Sequence, residues 1–301
     1  MEKVINYSFI IPHKNSPTYL VRCLNSIPDR EDVQVIVVDD DSDPKIVNWD
    51  KFEVNRKGKF EIVKTKSGKG AGYARNVGVS KAVGKWLVFP DADDYYKDGF
   101  LSILDKYKDS EHDVVYYNFD MIEESGELFV KNKVAGYIDA FDGSNESLDL
   151  IKFKLHSPWL KMVRRDFVLS HKIFFEEVPI GNDFFYSLQV GYFSANPLVI
   201  KDKIYNYVHH TKSMTNRNYN KRKILTQFRL VYKSAEFYKF IHHEEWSHGI
   251  IYILYMILMS KNIKYIFNAL IIFITNIVSI YRERFKYVNK ILSMECEQSK
   301  Y

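Results

Sequence analysis

The sequence predicts an α/β protein with a mostly parallel sheet, and two features support this fold class. Over the first 120 residues, short apolar runs alternate with amphipathic segments, as in chains whose parallel strands are joined by helices. Two of these runs, residues 33–38 (VQVIVV) and 86–89 (WLVF), are apolar almost throughout. Strands that are buried on both faces of a parallel sheet have sequences of this kind.

The elements of the first half follow in order. Residues 7–12 (YSFIIP) predict a strand that ends at a proline. Ser16 and Pro17 then begin a helix, because Ser suits the N-cap and Pro suits the first turn. One face of that helix carries Leu20, Cys23, Leu24 and Ile27. Further strands are predicted at 33–38, 61–65, 86–89 and 114–119, and a glycine-rich loop leading into a helix at 70–83.

The second half is less regular. Residues 183–195 predict a helix and 204–209 a strand, and from residue 220 onward the pattern is almost entirely helical. We therefore predict an α/β domain over 1–218, with 1–120 and 121–218 as its two halves, and a helical C-terminal region over 219–301.

Composition excludes several classes of protein. An apolar fraction of 46% is ordinary for a globular chain and excludes a disordered one. The two cysteines, Cys23 and Cys296, are too few for a cysteine zinc site or a disulfide framework and fit a reducing, cytoplasmic location. The first strand begins so near Met1 that we expect no signal peptide.

Charge is distributed unevenly along the chain. Residues 1–199 carry 26 Lys and Arg against 31 Asp and Glu, a net charge of −5, whereas residues 200–301 carry 17 against 7, a net charge of +10. A basic rear half suits an anionic surface such as a lipid leaflet or a polyanionic acceptor. We expect no nucleic-acid partner, because no nucleic-acid-binding motif accompanies the charge.

Two acidic clusters follow buried strands. They are Asp39-Asp40-Asp41-Ser42 and Asp91-Ala92-Asp93-Asp94. Because ligands of open α/β sheets bind beyond the carboxyl ends of the strands, both clusters should line one cleft. Carboxylates two residues apart can hold Mg²⁺ or Mn²⁺, which would bridge a nucleotide diphosphate. The alternatives are a solvated turn for the second cluster and a polar capping turn for the first.

The chain resembles the family 2 glycosyltransferases of the GT-A fold. Four motifs carry the resemblance, in the family's order and spacing: residues 9–15 (FIIPHKN), 35–42 (VIVVDDDS), 70–78 (GAGYARNVG) and 88–94 (VFPDADD). The resemblance is strong over residues 5–120 and weaker over about 155–215. It implies a GT-A-type (Rossmann-like) mixed, mostly parallel sheet flanked by helices.

The resemblance also implies roles at the donor side. Pro12 and Asn15 would shape the first loop around the base, and Asp40 would hydrogen-bond that base. Arg75 would contact the base or the diphosphate, Asp91 would reach the ribose or donor sugar, and Asp93 would hold the metal. The sequence departs from the family at Lys14, where an aromatic residue is usual, and at Asp41, where Gly is usual.

The acceptor side follows from two further segments. Residues 158–161 (PWLK) resemble the family's Pro-Trp-x-Lys segment, which implies that Trp159 and Lys161 lie near the acceptor. Without that resemblance, the residue type of Trp159 favours a place in the core. Residues 181–183 (GND) match the family's Gly-Glu-Asp segment, whose Asp is the general base. Asp183 is thus the candidate base, with a helix N-cap as the alternative, and Asn182 replaces the usual Glu.

Residues 205–215 (YNYVHHTKSMT) resemble the family's closing motif. His210 aligns with the family histidine that approaches the metal or diphosphate. Val208 stands where Arg is common, and Lys212 offers a substitute positive charge.

The apolar segments 250–259 and 265–281 are too short, or too interrupted by Asn, for a spanning helix of ~20 residues. Basic residues follow the second segment, so a helix lying in the membrane surface is favoured. Packing on the catalytic domain or on a partner in a homodimer is the alternative.

Together these features imply a metal-dependent inverting glycosyltransferase at the inner face of the cell membrane. It would move a sugar from a nucleoside diphosphate, with UDP as the family expectation, to a glycan or lipid-linked acceptor in surface polysaccharide synthesis. Two rivals remain: a degenerate nucleotide-sugar-binding scaffold of a polysaccharide assembly complex, and a nucleotidyltransferase that makes nucleotide sugars.

Overall fold

The computed structural model describes residues 4–52, 56–128, 135–210 and 221–247, with Phe267, Leu270, Ile271 and Ile274 beyond them. Contacts divide the chain into two units: Met1–Glu177 with Asn182–Ser213, and Val178–Gly181 with Met214–Tyr301. The predicted boundary between residues 218 and 219 lies outside the described residues, as do most of the two apolar segments of the tail.

The first half of unit one contains the predicted strands and helices, with ends displaced by at most two residues. They are β1 (Tyr7–His13), α1 (Pro17–Ser26), β2 (Val33–Asp39), β3 (Lys59–Lys64), α2 (Ala71–Lys81) and β4 (Trp86–Val88). Helix α1 buries the predicted face of Leu20, Cys23 and Leu24.

In the second half of unit one, the strands at 114–123 and 197–209 are longer than predicted, and there are more short helices than predicted. It contains β5 (Tyr95–Tyr96), α3 (Phe100–Leu104), β6 (Val114–Glu123), α4 (Ala135–Asp139), α5 (Asn145–Lys154), β7 (Lys161–Arg164), α6 (Arg165–Ser170), α7 (Phe184–Phe193) and β8 (Pro197–His209). Unit two begins its described helix, α8 (Lys221–Phe240), where the helical pattern was predicted.

Within the described ranges, eight strands form one mixed sheet, in the order β3-β2-β1-β4-β7-β6-β8-β5. Pairs β2–β3, β1–β2, β1–β4 and β6–β8 are parallel, whereas β7 and β5 run antiparallel to their neighbours. Six strands therefore end at one edge of the sheet, which we call the carboxyl edge. This confirms the predicted α/β class with a mixed, mostly parallel sheet.

The centre of the sheet is fully covered. All seven residues of β2 and all three of β4 are buried, as their continuous apolar sequences predict. Large aromatic residues fill the layers on either side, and among the fully buried ones are Tyr7, Phe9, Trp86, Phe89 and Phe119. A core of this kind holds the strand ends rigidly, so the loops at the carboxyl edge are positioned by the sheet.

Candidate functional site

The loops after β1 and β2 are joined at the carboxyl edge. Asn15 Oδ1 accepts a 2.7 Å hydrogen bond from the amide of Asp43, and the Asn15 amide donates to Ser42 Oγ at 2.9 Å. Asn15 and Asp41 have φ angles of +56° and +65°, which Asn and Asp tolerate better than other side chains. Pro12 lies beside Val38 in the sheet. The predicted base-binding loop is therefore held by the second loop.

Asp40 connects the end of β2 to the loop before α2. Its side chain is buried, with Oδ2 accepting from the amide of Gly70 at 2.7 Å and Oδ1 from the amide of Lys69 at 3.1 Å. A carboxylate has about four acceptor positions, so these bonds leave capacity for another donor. Its contact with a nucleotide base stays a prediction.

Arg75 joins the two halves of the predicted site. From α2 its guanidinium donates to Asp91 Oδ1 at 2.5 Å and to Asn182 Oδ1 at 2.8 Å. Its side chain is 6% exposed, and it lies 5.3 Å from the ring centre of Phe175. One buried cation thus brings the acidic loop after β4 together with the segment that contains Asp183.

Two residues of α2 allow that segment to approach closely. A Cβ at Gly72 would lie 2.1 Å from the carbonyl oxygen of Glu176 and 2.9 Å from Asn182 Cβ, so no other side chain fits there without movement. The Asn76 side chain donates to the Phe175 carbonyl and accepts from the Phe175 amide, both at 2.9 Å. Asn76 therefore fastens the backbone of this segment to α2.

Asp183 stands at the N-cap of α7, yet its side chain makes no capping hydrogen bond. The carboxylate therefore does not act as the cap that was its alternative assignment. Burial raises the pKa of Asp183, and the charge of Asp91 raises it further, while Arg75 and Lys161 oppose the shift. A raised pKa brings a carboxylate closer to the range in which it serves as a general base at neutral pH.

Asp93 and Asp94 have different surroundings. Asp93 is 49% exposed at its side chain, and its pKa is raised by burial and by the charge of Asp91. Asp94 is buried and accepts hydrogen bonds from Tyr205 Oη at 2.9 Å and from the Val208 amide at 2.8 Å. Asp94 therefore ties the loop after β4 to β8, which leaves Asp93 as the accessible carboxylate.

His210 lies next to Asp93, and its contact with a metal or diphosphate stays a prediction. Its Nε2 is 3.6 Å from Asp93 Oδ2 and is buried without a hydrogen-bond partner among the described residues. Its Nδ1 is 2.5 Å from Glu124 Oε1, and the Tyr19 hydroxyl donates to the same oxygen at 3.2 Å. The ring centres of Tyr19 and His210 are 4.9 Å apart. Lys212, two residues further on, lies outside the described residues.

The donors at Asp93 and His210 fit a divalent cation. Within the described part of the chain, no group of three or more His, Cys, Asp or Glu side chains is arranged to hold a metal by itself. Mg²⁺ and similar ions are commonly held by one or two protein ligands together with substrate phosphates and water. The unpartnered Nε2 of His210 and the Asp93 carboxylate are the one or two protein groups that such a site needs.

Trp159 is packed among aromatic residues and is 6% exposed. Its ring is nearly parallel to those of Tyr205 and Tyr207, at centre distances of 4.9 and 5.4 Å, and it meets Phe119 edge to face at 4.8 Å. Trp159 is thus a core residue at the carboxyl edge, the alternative left open by the sequence. Its contact with an acceptor stays a prediction.

Lys161 is fully buried at the start of β7. Its ammonium donates to the Leu155 carbonyl at 3.1 Å and to Ser187 Oγ at 2.9 Å, and burial lowers its pKa to about 7. Ser187 belongs to the first turn of α7, because its amide donates to the Asp183 carbonyl. Lys161 therefore holds the helix that begins at Asp183, and a contact with acceptor stays a prediction.

Sequence reasoning missed three members of the site. Glu124 and Tyr19 contact His210, and Arg22 donates to the backbone carbonyl of Asp93. None of the three belongs to a recognisable motif. Charged and aromatic residues are common on the surfaces of loops and helices, so the sequence pattern does not distinguish these three from ordinary surface residues. Asn182 was noticed only as a departure from Glu, whereas it receives a hydrogen bond from Arg75.

A surface depression of about 890 Å³ lies elsewhere, near the amino-terminal ends of the parallel strands, with Val4, Lys57 and Gly84 in its lining. We place the functional site at the carboxyl edge instead. Ligands of open α/β sheets bind at that edge, and the polar side chains described above converge there.

Comparisons with known proteins identify the family of the chain. The family model for glycosyl transferase family 2 matches residues 8–175. The putative glycosyltransferase EpsH of Bacillus subtilis (strain 168) is 24% identical over 220 residues, which cover 70% of this chain and 62% of EpsH. Poly(ribitol-phosphate) beta-N-acetylglucosaminyltransferase TarS of Staphylococcus aureus (strain MW2) is 27% identical over 215 residues, 68% of this chain and 35% of TarS. The chain thus spans less than two thirds of the length of either relative.

A solved structure shows the same fold. The crystal structure of S. aureus TarS 1–349 in complex with UDP-GlcNAc superposes with a TM-score of 0.60 at 21% identity, over 76% of this chain and 66% of that one. The mixed sheet flanked by helices is the GT-A-type architecture that the motifs implied. Because the family model covers more than half of its residues, the chain belongs to glycosyl transferase family 2.

Proposed function

We propose that this protein transfers a sugar from a nucleoside diphosphate, UDP by preference, to a glycan or lipid-linked acceptor in the synthesis of a bacterial surface polysaccharide. The single observation that carries the proposal is the link made by Arg75 between Asp91 and Asn182. It brings the loop assigned to the donor within reach of Asp183, the candidate base. TarS, a relative, is named for transfer of N-acetylglucosamine and has been crystallised with UDP-GlcNAc, which supports this substrate class.

The site suits a single displacement. The acceptor hydroxyl would lie against the Asp183 carboxylate, which takes the proton while the hydroxyl oxygen attacks the anomeric carbon. The bond from that carbon to the diphosphate oxygen breaks on the opposite face, so the anomeric configuration inverts. General-base assistance of this kind contributes about 10²–10⁴-fold to a rate.

A divalent cation fits beside Asp93 and His210. When bound, Mg²⁺ or Mn²⁺ would offset negative charge on the departing diphosphate. Asp93 and His210 Nε2 are the protein groups that would hold it, and Asp94 and Tyr205 keep their loop in place. Arg75 is already paired with Asp91, so it contributes a fixed positive charge next to the donor loop.

The base assignment is tested with Asp183→Asn. This change keeps the shape of the side chain and removes the proton acceptor, so we expect transfer to fall by about 10²–10⁴-fold. Binding of the nucleotide sugar, measured by isothermal titration calorimetry, should stay within a few-fold of the wild-type value. Asp166→Asn is the matched control, because Asp166 is 88% exposed at its side chain in α6.

Transfer at the wild-type rate in Asp183→Asn would remove the base assignment. Release of pyrophosphate rather than a nucleoside diphosphate would show a nucleotidyltransferase. Donor binding without hydrolysis or transfer, across a panel of nucleotide sugars with Mn²⁺ and candidate acceptors, would show a scaffold. A full rate of transfer in excess chelator would contradict the proposed dependence on a divalent metal.

We propose further that the C-terminal region contacts the inner face of the cell membrane. No helix within the described ranges is long and apolar enough to cross a membrane. The four residues described beyond residue 247 are helical, occur at spacings of three and four, and are exposed: Phe267, Leu270, Ile271 and Ile274, at 65, 36, 55 and 69%. Such spacing puts them on one helical face, and the net charge of +10 over residues 200–301 favours anionic lipid.

Membrane contact is tested by flotation of the full chain with vesicles of phosphatidylglycerol or phosphatidylcholine. Phe267→Ser with Ile274→Ser should reduce flotation with the anionic vesicles. The control is Ile46→Ser with Leu169→Ser, two exposed apolar residues of unit one, and should float like the wild type. Equal flotation of both variants would count against this surface, and a tail-dependent homodimer in solution would favour the alternative of a partner chain.

A further inference from the structure

Glu124 lies just beyond the end of β6 and has no role assigned by any motif. Its Oε1 is 2.5 Å from His210 Nδ1 and accepts from the Tyr19 hydroxyl at 3.2 Å. The carboxylate is half exposed, at 50%, whereas the His210 side chain is only 12% exposed. An exposed carboxylate held at such a short distance by two partners is oriented toward the imidazole, not toward solvent.

The two nitrogens of His210 differ in their surroundings. Nδ1 faces a carboxylate, which is an acceptor only, so Nδ1 carries a hydrogen. Nε2 is buried, has no hydrogen-bond partner among the described residues, and stands 3.6 Å from Asp93 Oδ2. That separation is too long for a hydrogen bond, so the geometry does not support a proton shared with Asp93. The neutral tautomer with a lone pair on Nε2 fits these distances.

We propose that Glu124 is a positioning residue: it holds His210 in the Nδ1–H tautomer and so keeps the Nε2 lone pair available for the divalent cation that His210 and Asp93 would hold. A carboxylate behind a ligating histidine fixes the ring and raises the basicity of the ligating nitrogen. Tyr19 contacts both members of the pair: its hydroxyl donates to Glu124, and its ring lies against that of His210. The proposal rests on the metal site of the proposed function.

The test measures Mn²⁺ binding by the free-ion electron paramagnetic resonance signal, with the full chain alone and with UDP. Loss of a carboxylate behind a metal-binding histidine typically weakens metal affinity by about 10–100-fold, and we expect this for Glu124→Ala. Glu123→Ala is the matched control, because Glu123 is the preceding residue and lies 3.4 Å from His209. Its Mn²⁺ affinity should stay within about twofold of the wild-type value.

A second measurement separates positioning from folding. In ¹⁵N–¹H spectra of the histidine rings recorded without added metal, the His210 signals, assigned from their absence in His210→Gln, should show Nδ1–H in the wild type. Glu124→Ala should lose that preference while its melting temperature is unchanged. Equal Mn²⁺ affinity in Glu124→Ala and wild type would overturn the proposal while leaving the metal site intact. No Mn²⁺ binding by the wild type would overturn both the role of Glu124 and the metal site. The assignment of Asp183 as the general base would still be tested separately by Asp183→Asn.

Discussion

The guanidinium of Arg75 donates a 2.8 Å hydrogen bond to the side-chain oxygen of Asn182. The same guanidinium is paired with Asp91, so three polar side chains from α2, the loop after β4 and the segment before α7 form one hydrogen-bonded chain. Where the family has Glu at position 182, Arg75 would face two carboxylates. Here it faces one carboxylate and one amide, which leaves more of its charge uncompensated beside the donor loop.

This chain of contacts predicts the effect of Asn182→Ala. The change removes one acceptor from a buried cation, which costs about 1–3 kcal/mol, so kcat/KM for transfer should fall about tenfold. Arg75→Lys also disturbs the contact with Asp91. The guanidinium contacts Asn182 and Asp91 through two different nitrogens, which the single ammonium of a lysine cannot reproduce. We therefore expect a larger loss in Arg75→Lys, measured by initial rates. Equal rates in Asn182→Ala and wild type would show that the bond has no part in assembling the site.

Gly72→Ala should separate the two halves of the site. The added Cβ meets the Glu176 carbonyl at 2.1 Å, and relief of that contact requires the backbone of the segment before Asp183 to move. Overpacking of this kind costs about 1–3 kcal/mol of stability, and transfer should fall by more than donor binding does. Gly136→Ala is the control, because a Cβ at Gly136 has no atom within 4 Å. A fully active Gly72→Ala would show that the segment adapts without harm.

Lys161 predicts how stability varies with pH. Its pKa is about 7 in the folded chain and about 10.4 when unfolded. Between these values the unfolded chain binds more protons, so the free energy of unfolding should rise with pH, by up to roughly 1.4 kcal/mol per pH unit. Lys161→Met removes this contribution. Urea unfolding from pH 7 to 9 should therefore give a steeper rise for the wild type than for Lys161→Met. Parallel profiles would mean that the ammonium keeps an ordinary pKa despite its burial.

Tyr205 predicts a loss of stability at the carboxyl edge. Its hydroxyl donates to Asp94 Oδ2 at 2.9 Å and accepts from the Asp91 amide at 3.1 Å. Tyr205→Phe leaves both groups without this partner, so the free energy of unfolding should fall by about 1–3 kcal/mol. In Tyr186→Phe the deleted hydroxyl is buried with no hydrogen-bond partner among the described residues, and urea unfolding should show little change. A similar loss in both variants would assign the effect to ring packing instead.

Local sequence patterns were enough to predict the fold class, the order of strands and helices over residues 1–120, and the acidic clusters that share one edge of the sheet. These predictions depend on local patterns: continuous apolar runs, a Ser-Pro pair at the start of a helix, and charged residues placed directly after strands. Each is a property of a few neighbouring residues, so no knowledge of distant contacts is needed.

Which side chains contact one another could be read only from the folded chain. Arg75 and Asn182 are 107 positions apart, and His210 and Glu124 are 86 apart. Their contacts require the strands to be ordered first, because β6 and β8 must be parallel neighbours before Glu124 and His210 share an edge. The burial of Lys161 and Trp159 was decided in the same way, since a residue type sets the cost of burial but the surrounding layers set whether it is buried.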